Sequence, residues 1–251
     1  MEQVHFVDEN SIVREIWGRT HTILFIFAGA SAEFALNKAV DWLYFTGKLP
    51  ADPLGRLFST VAYAQAIVFS DNASAIKAID IIAAIHKGVE ESRGTKIPDW
   101  AYKDVLFMLV DYSIRSFEVL ERPMTDAEKQ EVLNVFYRVG SRMGLQGLPA
   151  QYDAWKQARN EHLRTNLQYS KYTKDLFRQY DKHLGWVRYR VLLAAQALVL
   201  PKDVRELLGL RKNIWQQAMV LLFKTCKALH LDQAMIKTIL PRNKGMIKTY
   251  L

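Results

Sequence analysis

The sequence predicts an all-α protein folded as one multi-helix domain, and three observations support this. Apolar residues recur at helical spacing over long runs, and the 12 glycines and 7 prolines mostly fall between those runs. No stretch of useful length alternates apolar and polar residues as a half-buried strand does. A chain of 251 residues with 50% hydrophobic residues can form one large core. We therefore expect a single domain over residues 1–251.

The helices follow from periodicity and from the residues that separate the runs. The second run is apolar on nearly every side, which predicts a buried central helix. Thr125 precedes Glu128 by three residues, after Pro123, and so predicts a capping box at a helix start. The predicted helices lie at about 10–18, 20–39, 73–90, 99–120, 126–143, 150–165, 169–183, 186–200, 201–208 and 212–229, and one more opens near Pro53 and continues through Ile67.

Asp111 interrupts a strongly apolar run in the helix predicted at 99–120. Two interpretations are open for it. The first, which we favour, is a partly exposed aspartate on the flank of the helix. The second is a carboxylate buried in a functional site, which is costly unless a cation or hydrogen-bond donors accompany it.

The net charge of +8 is concentrated at the end of the chain. From residue 205 to 251, nine Lys or Arg face two acidic residues, so this segment carries +7. A solvated helix face with a short basic tail explains this most simply. Attraction to an anionic lipid surface or another acidic partner is the alternative, which would place a peripheral membrane contact in the basic segment from about 211 to 251. We predict no nucleic-acid partner, because no recognised binding motif accompanies the charge.

The sequence favours a cytoplasmic protein, with peripheral membrane association as an option. The single cysteine, Cys226, cannot form an intrachain disulfide. The apolar run at 23–32 ends in small residues, as a signal peptide does, but it starts after four acidic residues and is too short to cross a bilayer. We interpret that run as a buried helix.

Few classes of catalytic site remain after inspection of the motifs. The sequence lacks a glycine-rich phosphate loop, a GxSxG nucleophile elbow and an HExxH zinc helix. The 6 histidines are scattered, and they do not provide the Glu-x-x-His pairs on two helices that a di-iron bundle needs. A metal centre with a single histidine ligand is still compatible with the sequence, and haem is one such centre.

The stretch at 52–90 is the best candidate for such a centre. Arg56 and Thr60 lie one turn apart on the first of its two helices, and His86 shares an apolar stripe of the second helix with Ile82 and Val89. If the two helices pair, a guanidinium, a hydroxyl and an imidazole would face one haem-sized cavity. A lone histidine on an apolar face is, however, more often a core residue, and this alternative stays open.

Several short motifs follow one another along the chain in a definite order. They are Pro53, Arg56-Leu57 and Thr60; Ile85-His86-Lys87-Gly88-Val89; Pro123-Met124-Thr125; Met143-Gly144-Leu145 with Leu148-Pro149; and Leu200-Pro201, Arg205 and Leu208-Gly209-Leu210. Each motif is short, but their order and spacing from Ile16 to Leu210 resemble the rubber oxygenase (latex-clearing protein) and MpaB-type oxygenase family.

This resemblance implies an all-helical protein with a pocket for haem b between helices. It implies that His86 is the proximal iron ligand, and that Arg56 and Thr60 are the catalytic polar pair that also contacts the cofactor. Arg56 would meet either a haem propionate or the oxygen side. The implied activity is that of an oxygenase which uses O2 on a hydrophobic, for example isoprenoid, small molecule.

Two positions depart from the family pattern. Ser59 stands where rubber-cleaving relatives tend to have a lysine, and Leu109-Val110-Asp111 stands where the family tends to have Trp-Val-His. The second difference weakens any transfer of a relative's substrate to this chain. The alternative function is that of a non-enzymatic helical module that binds lipid or an acidic partner through the basic C-terminal segment.

Overall fold

The computed structural model describes residues 4–47 and 51–211, together with positions 218, 220, 221, 224 and 225, and it omits the side chains at 53, 54 and 56–58. The described chain is all-α, as predicted, and its helices form one globular domain. Within those ranges, β pairing is limited to two isolated bridges. The helices are α1 Ile12–Gly18, α2 Thr20–Leu36, α3 Asp41–Phe45, α4 Pro53–Phe69, α5 Asn72–Arg93, α6 Asp99–Leu120, α7 Asp126–Arg142, α8 Tyr152–Thr165, α9 Lys171–Val199 and α10 Lys202–Leu207.

Helix α2 is the buried central helix that the sequence predicts. It packs mainly between α6 and α9, and Ile23 and Ile26 on it are fully buried. The helix ends at Leu36, three residues earlier than predicted, because Asn37 adopts an extended backbone and its side chain accepts a bond from the Ala39 N–H at 2.8 Å. An asparagine that satisfies the backbone locally competes with helix continuation.

Gly29 allows α2 and α6 to approach each other closely. A Cβ atom at this position would lie 2.3 Å from Cδ1 of Tyr112, so the tyrosine ring occupies the space above the glycine. Tyr112 is itself fully buried. The contact between the two central helices therefore depends on the missing side chain at Gly29.

Helices α4 and α5 pair as a helical hairpin, which confirms the prediction for the stretch at 52–90. Asp52 caps α4 by accepting a bond from the Gly55 N–H at 2.8 Å. Asp71 caps α5 in the same way through the Ser74 N–H at 2.9 Å. Helix α5 ends at Gly94, whose φ of 72° is the left-handed conformation that glycine favours at a helix end.

The capping box at the start of α7 is present as predicted. Thr125 donates its backbone N–H to Glu128 at 2.8 Å, and the Glu128 N–H donates to the Thr125 hydroxyl at 3.3 Å. Arg122 adds a two-pronged ion pair with Glu128 at 2.7 and 3.0 Å. The hydrogen bond from Arg122 is the main reason that the pKa of Glu128 falls to about 2.

Helix α9 contains one break. Gly185 has a φ of 72° and a ψ of 163°, which are not helical angles, so two helical halves meet at this residue. The two helices predicted at 169–183 and 186–200 correspond to those halves. Arg190 lies above the ring of the exposed Trp186, just beyond the break.

Most of the helix predicted at 212–229 and of the basic segment lies outside the described residues. Among the helices that are described, none combines the length and the apolar character that a membrane span requires. The extension of the domain through residue 251 stays a prediction.

Candidate functional site

His86 lies in the C-terminal half of α5, and its ring contacts the first turn of α6. The imidazole meets the ring of Tyr102 edge to face, with centroids 5.2 Å apart and planes at 85°. The His86 side chain is half-buried, and its Nδ1 atom is shielded from solvent. The imidazole is therefore partly shielded by an aromatic neighbour from another helix.

Glu90 connects the elements around this ring. Its Oε1 atom accepts a hydrogen bond from the Tyr102 hydroxyl at 3.1 Å and another from the Ile97 N–H at 2.9 Å. Burial, together with the bond to Glu90, raises the pKa of Tyr102 above its usual value. Tyr102 thus keeps its proton and acts as a donor, which ties α5, the following loop and α6 together.

Arg56 and Thr60 lie on α4, the other helix of the hairpin. The chain reverses at Ser70 and Asp71; Arg56 precedes Ser70 by 14 residues and His86 follows Asp71 by 15. In paired antiparallel helices, Arg56 and His86 therefore lie at about the same distance from the turn. Thr60 lies about 7 Å nearer the turn than these two positions, at a rise of ~1.5 Å per residue.

The Arg56 side chain lies outside the described part of the structure, and Thr60 is half-buried. The helix pairing that brings the three predicted residues onto one hairpin is confirmed. Their convergence on one haem pocket stays a prediction.

Helix α5 exposes part of its apolar surface to solvent. The predicted stripe faces inward, with Ile79 fully buried and Ile82 packed against the core. A second stripe beside His86 is open to solvent, with Ile81 and Ile85 42% and 40% exposed. His86 belongs to the inward stripe, and the exposed isoleucines lie further round the same helix.

Ion pairs near the surface fix the position of α5. Arg142 of α7 donates two hydrogen bonds, each 2.7 Å long, to the carboxylate of Asp80. At the helix end, Arg93 pairs with Asp41 at 2.7 Å, and its guanidinium lies 4.0 Å from the ring centroid of Trp42. The hydrogen bond from Arg142 lowers the pKa of Asp80.

Asp111 corrects the sequence-based interpretation that we favoured. The aspartate is only 7% exposed, so the partly exposed flank position is wrong. It accepts hydrogen bonds from Arg115 at 2.6 Å and from Arg159 at 3.1 Å. Two guanidinium groups thus offset the cost of burying the carboxylate, and one of them comes from α8, 48 residues further along the chain.

The buried ion network extends from Asp111 to the central helix. Arg159 donates two hydrogen bonds of 2.5 Å to Glu33 of α2, and Tyr112 donates to the same carboxylate at 2.6 Å. Burial alone would lower the pKa of Arg159, but Glu33 and Asp111 raise it well above its usual value. Burial and Glu33 likewise raise the pKa of Tyr112. Besides Asp111, the sequence signal for this network is Glu33, a single charge in a very apolar helix.

A second buried acid lies on α6 and was also missed from the sequence. Asp104 pairs through Oδ1 with Nδ1 of His162, and its Oδ2 accepts a bond from Asn37 at 2.8 Å. The ring of Phe107 packs edge to face against His162 at 5.1 Å. In the described ranges, no three His, Cys, Asp or Glu side chains group together as metal ligands would.

Comparison with known proteins gives one match. A family model described as "ER-bound oxygenase mpaB/B'/Rubber oxygenase, catalytic domain" matches residues 14–230. This range includes the whole α4–α5 hairpin and every described helix apart from the first two residues of α1. No curated protein and no solved structure matches the chain significantly.

Proposed function

The chain belongs to the family of ER-bound mpaB/B' oxygenases and rubber oxygenases, and from this premise we propose that it is a haem b-dependent oxygenase. It would act with O2 on a hydrophobic small molecule, of which an isoprenoid is one candidate. The observation that carries the proposal is the position of His86, an imidazole on an apolar helix of the hairpin that also bears Arg56 and Thr60.

The residues around His86 fit the needs of this cofactor. Haem b can be held by one protein imidazole, with apolar side chains around the porphyrin. His86 offers that imidazole, and Ile82, Ile85 and the Tyr102 ring offer apolar surface close to it. A bound haem would supply the oxygen chemistry, and the protein would supply axial ligation, polarity and exclusion of water.

Each predicted site residue has a separate role in this proposal. His86 would ligate the iron. Arg56, level with His86 on the neighbouring helix, would place a permanent positive charge beside the cofactor, either against a propionate or on the oxygen side. Thr60 would offer a hydroxyl that donates or accepts a hydrogen bond. Arg56 and Thr60 thereby provide the polar groups that the apolar stripe lacks.

The exposed stripe next to His86 supports a hydrophobic substrate. Ile81 and Ile85, one turn apart from each other, expose aliphatic side chains on the part of α5 that leads up to His86. When an apolar molecule covers such a surface, the free energy falls by about 25 cal/mol per Å² of apolar surface buried. The chemistry of this surface therefore favours a hydrocarbon-like substrate over a charged one.

The test is the visible spectrum of the full-length protein purified from cells supplied with haem. We expect a Soret band and near-stoichiometric iron. The His86→Ala variant should lose the Soret band, or should show a weakened band that added imidazole restores. His183→Ala is the matched control, because His183 is exposed, and it should leave the spectrum unchanged.

A Soret band that is unaltered in His86→Ala would reject the ligand assignment. A protein with no haem that associates with vesicles containing phosphatidylserine, and does so less as salt rises, would favour the alternative lipid-binding function.

A further inference from the structure

We propose that Tyr102 is a positioning residue that fixes the orientation of the His86 imidazole, and that Glu90 holds Tyr102 in place. The inference rests on the proposed function only where haem binding is concerned, because the contact itself belongs to the protein without cofactor. It assigns a role to two residues, on α5 and α6, that the family match and the motifs do not single out.

A histidine ring has considerable rotational freedom of its own. The torsion that rotates an imidazole about its Cβ–Cγ bond has broad minima, so the choice of rotamer alone leaves the ring plane loosely defined. A neighbouring group must restrict the ring if it is to present one nitrogen in a constant direction. Tyr102 meets the His86 ring at 5.2 Å and nearly at right angles. An edge-to-face contact of this kind is favourable, and rotation of either ring disrupts it.

Tyr102 is itself restrained. Its hydroxyl donates to Glu90 Oε1 at 3.1 Å, which fixes the far end of the ring. Glu90 lies one helical turn after His86 on α5, so both residues occupy the same face of that helix. The tyrosine ring is therefore held against the helix at two points one turn apart.

Glu90 makes a second hydrogen bond that fixes its position. The same Oε1 atom accepts the Ile97 N–H at 2.9 Å, in the loop that leads into α6. The carboxylate thus holds both the loop, through Ile97, and the Tyr102 hydroxyl. His86, Glu90 and Tyr102 form a closed unit, which we call the imidazole clamp.

The consequence concerns any metal bound by His86. Groups that orient a histidine ligand typically change metal affinity or activity by about 10- to 100-fold when they are removed. We expect Tyr102→Phe, which keeps the ring but releases it from Glu90, to weaken haem binding at the lower end of that range. Tyr102→Leu, which removes the ring, should weaken binding at the upper end. Glu90→Gln keeps an acceptor oxygen and should retain most of the affinity that Glu90→Ala loses.

The experiment has two arms on the full-length chain. In the first, the protein without haem is labelled at histidine, and the His86 ring signals are identified by NMR as those missing from His86→Ala. Tyr102→Leu should shift these signals, and Tyr102→Phe and Glu90→Ala should broaden or double them. Tyr169→Phe is the control, since Tyr169 is 57% exposed, and it should change nothing.

In the second arm, haemin is titrated into each variant and the dissociation constant and low-temperature EPR spectrum are recorded. Broadened EPR features in Tyr102→Phe would support the clamp. So would a Tyr102→Phe/Glu90→Ala double variant that binds haemin no more weakly than the poorer single variant, because the two residues then act as one unit. Circular dichroism establishes that each variant is folded. If Tyr102→Leu fails to fold, the comparison of Glu90→Gln with Glu90→Ala decides the question.

The outcomes separate this proposal from the proposed function. Unchanged His86 signals in every variant would overturn the clamp whether or not haem binds. In a protein that never binds haem, His86 signals that broaden or double in Tyr102→Phe and Glu90→Ala, which both keep an aromatic ring at position 102, would uphold the clamp and reject the cofactor. Haem bound through His86 with equal affinity in all variants would overturn the clamp and uphold the cofactor assignment.

Discussion

Helices α5 and α6 have the same length but are held in the fold by different means. Each has 22 residues, yet α6 buries 13 of them and α5 buries three, namely Ala75, Ala78 and Ile79. Helix α6 is fixed by core contacts and by the buried ion network, whereas α5 depends on its caps and on ion pairs near the surface. The helix that carries the candidate iron ligand is thus the less deeply anchored of the two, as is common for elements that bind ligands.

The largest expected effect comes from breaking the ion network under α6. Arg159→Ala would leave Glu33 and Asp111 buried with much of their positive charge removed, and loss of one partner from a buried ion group typically costs about 3–5 kcal/mol. Chemical denaturation of the variant and the wild type measures the difference. Arg142→Ala, which breaks the exposed pair with Asp80, is the control and should change stability far less. Equal losses in the two variants would remove the distinction between the helices.

A smaller effect of opposite sign in the two regions is expected from adding one methyl group. Gly29→Ala would force the new Cβ into the ring of Tyr112 and should destabilise the protein by about 1–3 kcal/mol. Gly88→Ala on α5 meets no atom within 4 Å and should stabilise it by about 0.5–1 kcal/mol through helix propensity. Thermal unfolding of both variants gives the sign directly. A destabilising Gly88→Ala would mean that the surface beside His86 is more crowded than the structure indicates.

The smallest expected effect is the pH dependence of the exposed cap on α7. Because folding lowers the pKa of Glu128 from 4.5 to about 2, its contribution is present above pH 4.5 and is lost as the pH falls towards 2. The Glu128 side chain is 22% exposed and its partner Arg122 is 50% exposed, so screening by solvent keeps the contribution small. Urea titrations at several pH values should show a smaller acid-side loss of stability in Glu128→Gln than in the wild type. Parallel curves would contradict the assignment.

Local chemistry explains which parts of the fold were predictable. The capping box at Thr125 and the break at Gly185 are decided by residues within a few positions of one another, and the sequence predicted the box and two separate helices on either side of the break. The short helix α3 was not predicted. One reason is that its support comes from Arg93, which reaches Asp41 and Trp42 from the end of α5.

The same division applies to the candidate site. The apolar stripe that contains His86 follows from spacing along one helix, so the hairpin and its histidine could be predicted. The contact of His86 with Tyr102 requires the loop at 94–98 to return the chain at a particular angle, and spacing alone does not fix that angle. Asp111 was misjudged for a related reason, because its partner Arg159 lies 48 residues away on another helix.

The buried ion network also has an evolutionary consequence. Glu33 and Asp111 carry two negative charges, Arg115 and Arg159 carry two positive charges, and the sum is zero in a network of which only Arg115 reaches the surface. A lineage that replaced Asp111 alone would leave a guanidinium unmatched, so substitutions here should arise in compensating pairs. Relatives with a neutral residue at the position of Asp111 should therefore lack one of the two arginines. Homologous sequences from closely related species would record such paired changes.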